Sequence, residues 1–345
     1  MEFRRKKNLQ RVLSICRFLL GIALLVGLLL WDNNAQRLWR LVRTVRLEIV
    51  IVLFLVGFTL NWISCLKWRL FLKERRFNVS LFRLLSLYFI GKFFSNFIPS
   101  MIGGDLTRTY LLGRQINSHS QSFASVFLER FTGLIALIVL AVFFFVINTK
   151  MLKEPTIGLA IVCIASGSFL SIGLLFNRRL VEWCMAKFSS VFFLKVIFQK
   201  ISVLQNDILY FKGKYRLLMK AMAYSFIFHF MTSVNVYLCC LAINFDPSFL
   251  DIAVITPVIL LLNTLPVSPN NIGWWEWTFT ILLAEAGAGP TEGLAVGLML
   301  RAISLLFSLS GGALFLFGKA GKRTKERDFE EQETLAGLPS SRLDY

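Results

Sequence analysis

Two acid–arginine pairs recur at one spacing in a chain that otherwise runs from one apolar stretch to the next. Asp105 is followed 25 residues later by Arg130, and Glu276 is followed 25 residues later by Arg301. A carboxylate held at membrane depth costs about 3 kcal/mol or more unless it is paired or wetted, so each acid calls for a partner or a function. The arginines are the natural partners. Two readings follow: structural ion pairs, or a polar cavity in which the planar guanidinium forks meet the oxygens of a phosphate or diphosphate.

The residues around each acid repeat in type and order. The first stretch reads SNFIPSMIGGDLTR and the second LNTLPVSPNNIGWWEW. Asn96, Pro99, Ser100, Gly103, Gly104 and Asp105 correspond in order to Asn263, Pro266, Ser268, Gly273 and Glu276, with four more residues between proline and acid in the second. Proline removes a helical donor and clashes with the preceding turn. Glycine allows either unusual backbone angles or close helix packing. Each stretch is therefore expected to break a helix, and the shared order points to a duplicated unit.

Nearby residues extend both sites. Arg108 and Arg114 are expected at the cytoplasmic surface, holding phosphate or setting topology. Glu129 falls on a different helical face from Arg130 and can pair with a Lys or Arg of the first broken segment. The WWEW run at 274–277 suits an interfacial aromatic belt or a ligand platform. No nucleophile elbow, phosphate loop or metal-ligand spacing occurs, so no catalytic residue, metal or cofactor is expected. His119 and His229 stand alone in sequence, and Cys16, Cys65, Cys163, Cys239 and Cys240 lie in or beside apolar segments as small core residues.

The elements that must position these residues are membrane helices. The chain of 345 residues is 56% hydrophobic, with mean hydropathy +0.65 and 34 Phe. Its apolar runs do not alternate as barrel strands would. Full spans are expected near 12–31, 47–66, 125–147, 157–176, 217–243 and 294–318, each about the ~20 residues a bilayer needs. The +18 charge sits mostly in loops, which assigns it to topology and anionic headgroups rather than nucleic acid. Basic loops place the N-terminus, 67–83, 177–216 and the region after 319 in the cytoplasm, with 244–251 outside. Arg37, Arg40, Arg43 and Arg46 in the 32–46 loop suit a short interfacial helix. The N-terminal apolar run is expected to remain as an uncleaved helix.

On that count the segments 84–122 and 252–292 each begin and end on one side, entering from opposite sides. The expected fold is thus all-α and polytopic, with about six full spans plus two re-entrant broken-helix hairpins in an inverted repeat, about eight hydrophobic units. One transmembrane domain covers 1–318, with repeats near 47–147 and 217–318, and 319–345 is expected as a flexible cytoplasmic tail. Paired interrupted segments in two halves of a membrane protein point to a transport site near the midplane.

NFIPSMIGGDLTRTYLL, FLERFTGL, LPVSPNNIGWWEW and the later Arg301 together resemble the membrane region of lysylphosphatidylglycerol synthases and their stand-alone flippase-like relatives. The family pattern falls on Pro99, Ser100, Gly103, Gly104, Asp105, Arg108, Glu129, Arg130, Gly133, Pro266, Ser268, Gly273 and Glu276, and the likeness covers about residues 10–320. The residues before Glu276 depart from the small or basic ones usual there. The resemblance implies a bacterial inner-membrane protein acting on anionic, aminoacylated or isoprenoid-linked lipids. In two-part members a soluble C-terminal domain attaches lysine, and the stretch after the last span is too short for one.

The expectation is accordingly a flippase-like transporter of a lipid headgroup, with both termini cytoplasmic and enzymatic activity left open. The alternative is a membrane-bound transferase or partner subunit acting on phosphatidylglycerol-type or isoprenoid-linked lipids. The expected partner is a membrane phospholipid or lipid-linked substrate, with a homo-oligomer or a separate synthase as further possibilities.

Overall fold

The computed structural model describes residues 2–31, 34–97, 103–153, 213–265 and 267–335, with a few positions between 158 and 211. Side chains are described between residues 16 and 317 of these ranges, except at 34 and 97. The helices are α1 (Glu2–Leu30), α2 (Asn34–Val42), α3 (Leu47–Glu74), α4 (Leu81–Phe97), α5 (Gly103–Gln115) and α6 (His119–Ile147). After them come α7 (Tyr215–Ala242), α8 (Phe249–Leu262), α9 (Trp274–Ala284) and α10 (Pro290–Leu335). Short 3-10 turns occupy Met151–Lys153 and Pro269–Asn271. Every regular element among the described residues is helical.

Among the described residues, four helices are long and apolar enough to cross a bilayer: α3, α6, α7 and the Pro290–Phe317 part of α10. A fifth span is counted if Cys16–Leu30 and Ala35–Val42, bent by 75° at their junction, are taken together. The expected span at 157–176 lies almost wholly outside the described residues. Beyond the bend, α2 rests Leu38 and Leu41 against the core and keeps its arginines exposed. Arg43 lies 5.0 Å from the ring of Trp39. This is the amphipathic pattern of a helix lying along an interface.

The remaining four helices are too short to cross. α4 has 17 residues, α5 13, α8 14 and α9 11, each below the ~20 required. They form two hairpins whose mouths lie at opposite ends of the bundle. Arg83 Nε donates to Gln115 Oε1 at 3.1 Å, tying the start of α4 to the end of α5. The same end carries the ion pair of Glu74 with Lys214, where α3 finishes and α7 starts. At the other end Lys150 Nζ donates to Asp251 Oδ2 at 2.9 Å and to the Glu285 carbonyl at 3.2 Å, tying the start of α8 to the end of α9. Arg46 Nε donates to Asn244 Oδ1 at 2.9 Å there, where α3 starts and α7 finishes.

The last helix touches both hairpins. It packs along α4, where Phe307 stacks on Phe89 with ring centroids 5.8 Å apart, and along α9. Past its apolar part this helix continues as far as Leu335. Its sequence, KAGKRTKERDFEEQETL, is rich in helix formers with opposite charges three and four residues apart, which favours continuation.

Candidate functional site

The first break ends where α5 begins. Gly104 there faces α4 so closely that a Cβ would stand 2.3 Å from the Gly91 carbonyl oxygen, so the glycine serves close packing within the hairpin. Asp105 follows in the first turn of α5, where the helix dipole favours a negative charge. It accepts from Arg130 Nε at 3.1 Å and from Arg130 Nη2 at 3.0 Å, a two-point pairing between hairpin and α6.

Arg108 sits one turn further, at 2% exposure, between the rings of Trp68 (5.0 Å) and Tyr88 (4.8 Å). It was expected at the surface, and the structure corrects this. Asp105 Oδ1 lies 3.0 Å from its Nε, and its Nη2 donates to the buried Glu129 at 2.8 Å. On α6, Glu129 faces inward to Arg108 while Arg130 turns toward Asp105. Lys67 of α3 stands 3.5 Å from Glu129 and donates to Ser225 Oγ at 3.2 Å. Adding Lys92, this region holds four cations and two carboxylates.

The second break is built differently. Gly273 adopts φ +78°, which only glycine takes easily, and its N–H donates to Glu276 Oε2 at 2.8 Å. Glu276, 1% exposed, pairs with Arg301, 25 residues on, the counterpart of the Asp105–Arg130 pair. Arg301 also donates to the Asn271 carbonyl at 3.0 Å and the Asn270 carbonyl at 3.3 Å. It therefore clamps the non-helical backbone of its own break. Asn263 Nδ2 donates to Thr278 Oγ1 at 2.8 Å, and Ser268 Oγ to the Ile272 carbonyl at 2.7 Å. The Trp274 and Trp275 indoles donate to the carbonyls of Leu262 and Gly297 at 3.1 and 3.0 Å. Trp275 also lines the cavity between the breaks.

The second break meets the last turn of α4. Asn270 Nδ2 donates to Asn96 Oδ1 at 2.8 Å. Beside this contact lies a cavity of about 380 Å³ bordered by Ser95, Asn96, Asn235, Asn270, Asn271 and Arg301. A second, of about 430 Å³, is bordered by Asn61, Lys92, Asp105, Arg108 and Arg130. They adjoin, sharing Ser95, Thr232, Asn235, Trp275 and Ser304.

Of the expected site residues, Asn96, Gly104, Asp105, Arg108, Arg130 and Arg301 border the cavities directly. Gly103 begins α5 beside them, and Glu129, Asn263, Ser268, Gly273 and Glu276 support the lining. Pro99, Ser100 and Pro266 lie outside the described residues. Sequence reasoning passed over Lys67, Lys92, Asn235 and Asn270. The two lysines carried a usable signal, since each interrupts an apolar run, in SCLKWRL and FIGKFFSNF. Among the described residues no three His, Cys, Asp or Glu gather as a metal would need.

The family described as Lysylphosphatidylglycerol synthase TM region matches residues 16–312, from α1 through the apolar part of α10. The chain belongs to this family. Similar proteins include the UPF0104 membrane protein PH1989 of Pyrococcus horikoshii, 24% identical over 325 residues, covering 86% of this chain and 95% of that one. A UPF0104 membrane protein of Methanothermobacter thermautotrophicus is 21% identical over 79% of this chain and 86% of its own. MJ1595 of Methanocaldococcus jannaschii, also a UPF0104 membrane protein, is 22% identical over 75% and 81%. No solved structure matches the chain significantly. In this member of the lysylphosphatidylglycerol synthase membrane-region family, both breaks and both acid–arginine pairs fall inside the matched residues.

Proposed function

We propose that this membrane protein moves a phosphate-bearing lipid headgroup across the bilayer, the tails remaining in lipid while the headgroup crosses between the two hairpins. The observation that carries the reading is the contact of Asn270 in the second break with Asn96 at the end of α4, beside a cavity that adjoins one with more cations than carboxylates. Polar, non-helical backbone at membrane depth is stable only where protein buries it or a wet cavity lines it. Two hairpins with mouths at opposite ends are the arrangement of an inverted repeat, which supports alternating access around a fixed site. Arg130 is the headgroup contact in this reading. Its side chain is 57% exposed and borders the cavity, and the bidentate pairing with Asp105 engages Nε and Nη2. Arg301 acts through the second break. The setting is the inner membrane, with both termini in the cytoplasm and a phospholipid as partner.

The test is reconstitution of the purified chain in liposomes carrying a headgroup-labelled anionic phospholipid, with accessibility read by a membrane-impermeant quencher. Movement is expected with the native chain and reduced at least tenfold in Asp105→Asn and Arg130→Gln variants of unchanged helicity. Equal movement in both variants would reject the assignment. A covalently altered lipid in the mass spectrum would favour a membrane-bound transferase instead.

A further inference from the structure

A third cavity, of about 530 Å³, adjoins the cationic one and shares Ser64, Tyr88, Arg130, Phe228 and Leu260 with it. Three titratable groups from three helices border it: Lys67 of α3, Glu129 of α6 and His229 of α7. Lys67 is 4% exposed, stands 3.5 Å from Glu129 Oε1 and donates to Ser225 Oγ at 3.2 Å. A Cβ on Gly133 would lie 3.3 Å from Lys67 Nζ and 3.7 Å from His229 Nε2, so the bare glycine lets ammonium and imidazole meet on one face of α6. His229 Nε2 lies 3.0 Å from the Gly133 carbonyl, which can only accept, so Nε2 carries the hydrogen. The neutral ring then presents Nδ1 as an acceptor, and that buried atom has no hydrogen-bond partner.

Charge counting singles out Lys67. Arg108 and Arg130 balance Glu129 and Asp105, and an arginine keeps its proton at physiological pH. Lys67 is a charge beyond that balance, on a side chain able to release its proton. Lys92 is also in surplus, but it borders the headgroup cavity and lies near the rings of Tyr88 and Phe307 rather than in the ion network. The groups around Lys67 are Glu129 and Arg130 from α6, Arg108 from α5, Tyr88 from α4 and His229 from α7. Leu260 of α8 and Thr264 beyond it complete that side of the cavity without charge.

We infer that Lys67 carries a proton that crosses together with the anionic headgroup, so that a proton gradient drives the movement. The inference rests on the headgroup reading above and adds its energy source. A phosphate arriving at Arg130 brings a negative charge to the network, and a protonated Lys67 offsets it. The coupling is reciprocal: the proton favours the phosphate by the factor by which the phosphate favours the proton. On the acidic side an N–H bond forms as the Lys67 amine becomes an ammonium. On the other side that bond breaks, and the proton leaves through the third cavity, with His229 Nδ1 as an acceptor on its border.

The experiment uses the full chain in liposomes that carry a headgroup-labelled anionic phospholipid outside and a pH-sensitive dye inside. Potassium and valinomycin hold the membrane potential at zero. Acidifying the outside by about one pH unit should speed inward headgroup movement about fivefold, and the dye should report protons arriving with it. Lys67→Arg keeps the charge beside Glu129 but cannot release a proton, so the ratio of rates with and without the gradient should fall to about one. His229→Gln, which still donates to Gly133, should lower that ratio in part. A native chain indifferent to the gradient, with a silent dye, would overturn this inference and leave transport standing. Full gradient dependence in folded Lys67→Arg would overturn it as well. Proton passage lost in Lys67→Arg but without headgroup movement would keep Lys67 as a proton site and reject the headgroup reading. Neither movement nor proton passage would reject both.

Discussion

Asn270 reaches across 174 residues of sequence to donate its side-chain amide to Asn96 Oδ1 at 2.8 Å, joining the second helix break to the end of α4. Each asparagine stands within or beside a segment that cannot be helical throughout, so their contact fixes how the two hairpins face one another. A neutral hydrogen bond of this kind is worth about 1 kcal/mol, enough to bias a two-state arrangement without locking it.

Substituting either asparagine by alanine should therefore lower the thermal midpoint only slightly while changing headgroup movement by several-fold. The double variant is expected to cost little more than either single one, since both remove the same bond. Differential scanning fluorimetry in detergent, paired with the liposome assay, checks both parts. Additive losses in the double variant would show that the two amides act independently.

Arg108 has a different task. It is buried against Trp68 and Tyr88 and neutralises Glu129, so Arg108→Met leaves a buried carboxylate with only Lys67 at 3.5 Å and Arg130 Nε at 4.0 Å as near cations. Breaking a buried pair from one side costs about 3–5 kcal/mol. Adding Glu129→Gln should recover part of that loss, because the stranded charge is gone. Unfolding midpoints of the single and double variants measure the recovery; a double variant as unstable as Arg108→Met would mean that packing, not charge, dominates.

The two outer arginines should respond differently to lysine. Arg301 holds two carbonyls and Glu276 at once, a geometry an ammonium cannot copy, so Arg301→Lys is expected to destabilise the second break and lower expression of folded protein. Arg130 makes one bidentate contact from a half-open position, so Arg130→Lys should leave the fold nearly unchanged and reduce headgroup movement. Size-exclusion profiles and the transport assay read the two effects separately.

Sidedness gives a test free of any substrate. The turn after α5 and the turn after α7 lie at opposite ends of the bundle, as the Arg83–Gln115 and Arg46–Asn244 bonds require. Single cysteines at Asn117 and Pro247, in a background without native cysteines, should be labelled by an impermeant maleimide from opposite sides of the membrane. Labelling of both from one side would contradict the hairpin arrangement.

Much of this could be read before any coordinates. The apolar runs that became α3, α6 and α7 are long enough that nothing but a bilayer-length helix suits them, and proline with glycine stops a helix wherever the fold later puts it. The Asp105–Arg130 and Glu276–Arg301 pairs were legible too, because each joins a hairpin to the helix that directly follows it. Connections so short leave the chain few ways to keep acid and arginine apart.

What the sequence alone could not decide is everything that depends on which face of a helix meets which neighbour. A membrane helix that is apolar all round lacks the polar stripe that marks the outward face of a soluble one. Arg108 looked like a surface residue on charge alone, yet packing set it between two aromatic rings. Lys92 and Asn235 looked incidental until α4 and α7 placed them around one cavity. The matching spacing also hid an asymmetry, with Arg301 consumed by its own break and Arg130 left half open. Short-range steric and length rules acted within each segment and fixed the helices, the breaks and the pairs. The meeting of Asn96 with Asn270 is a long-range contact, and only the packing of helices far apart in the chain could bring it about.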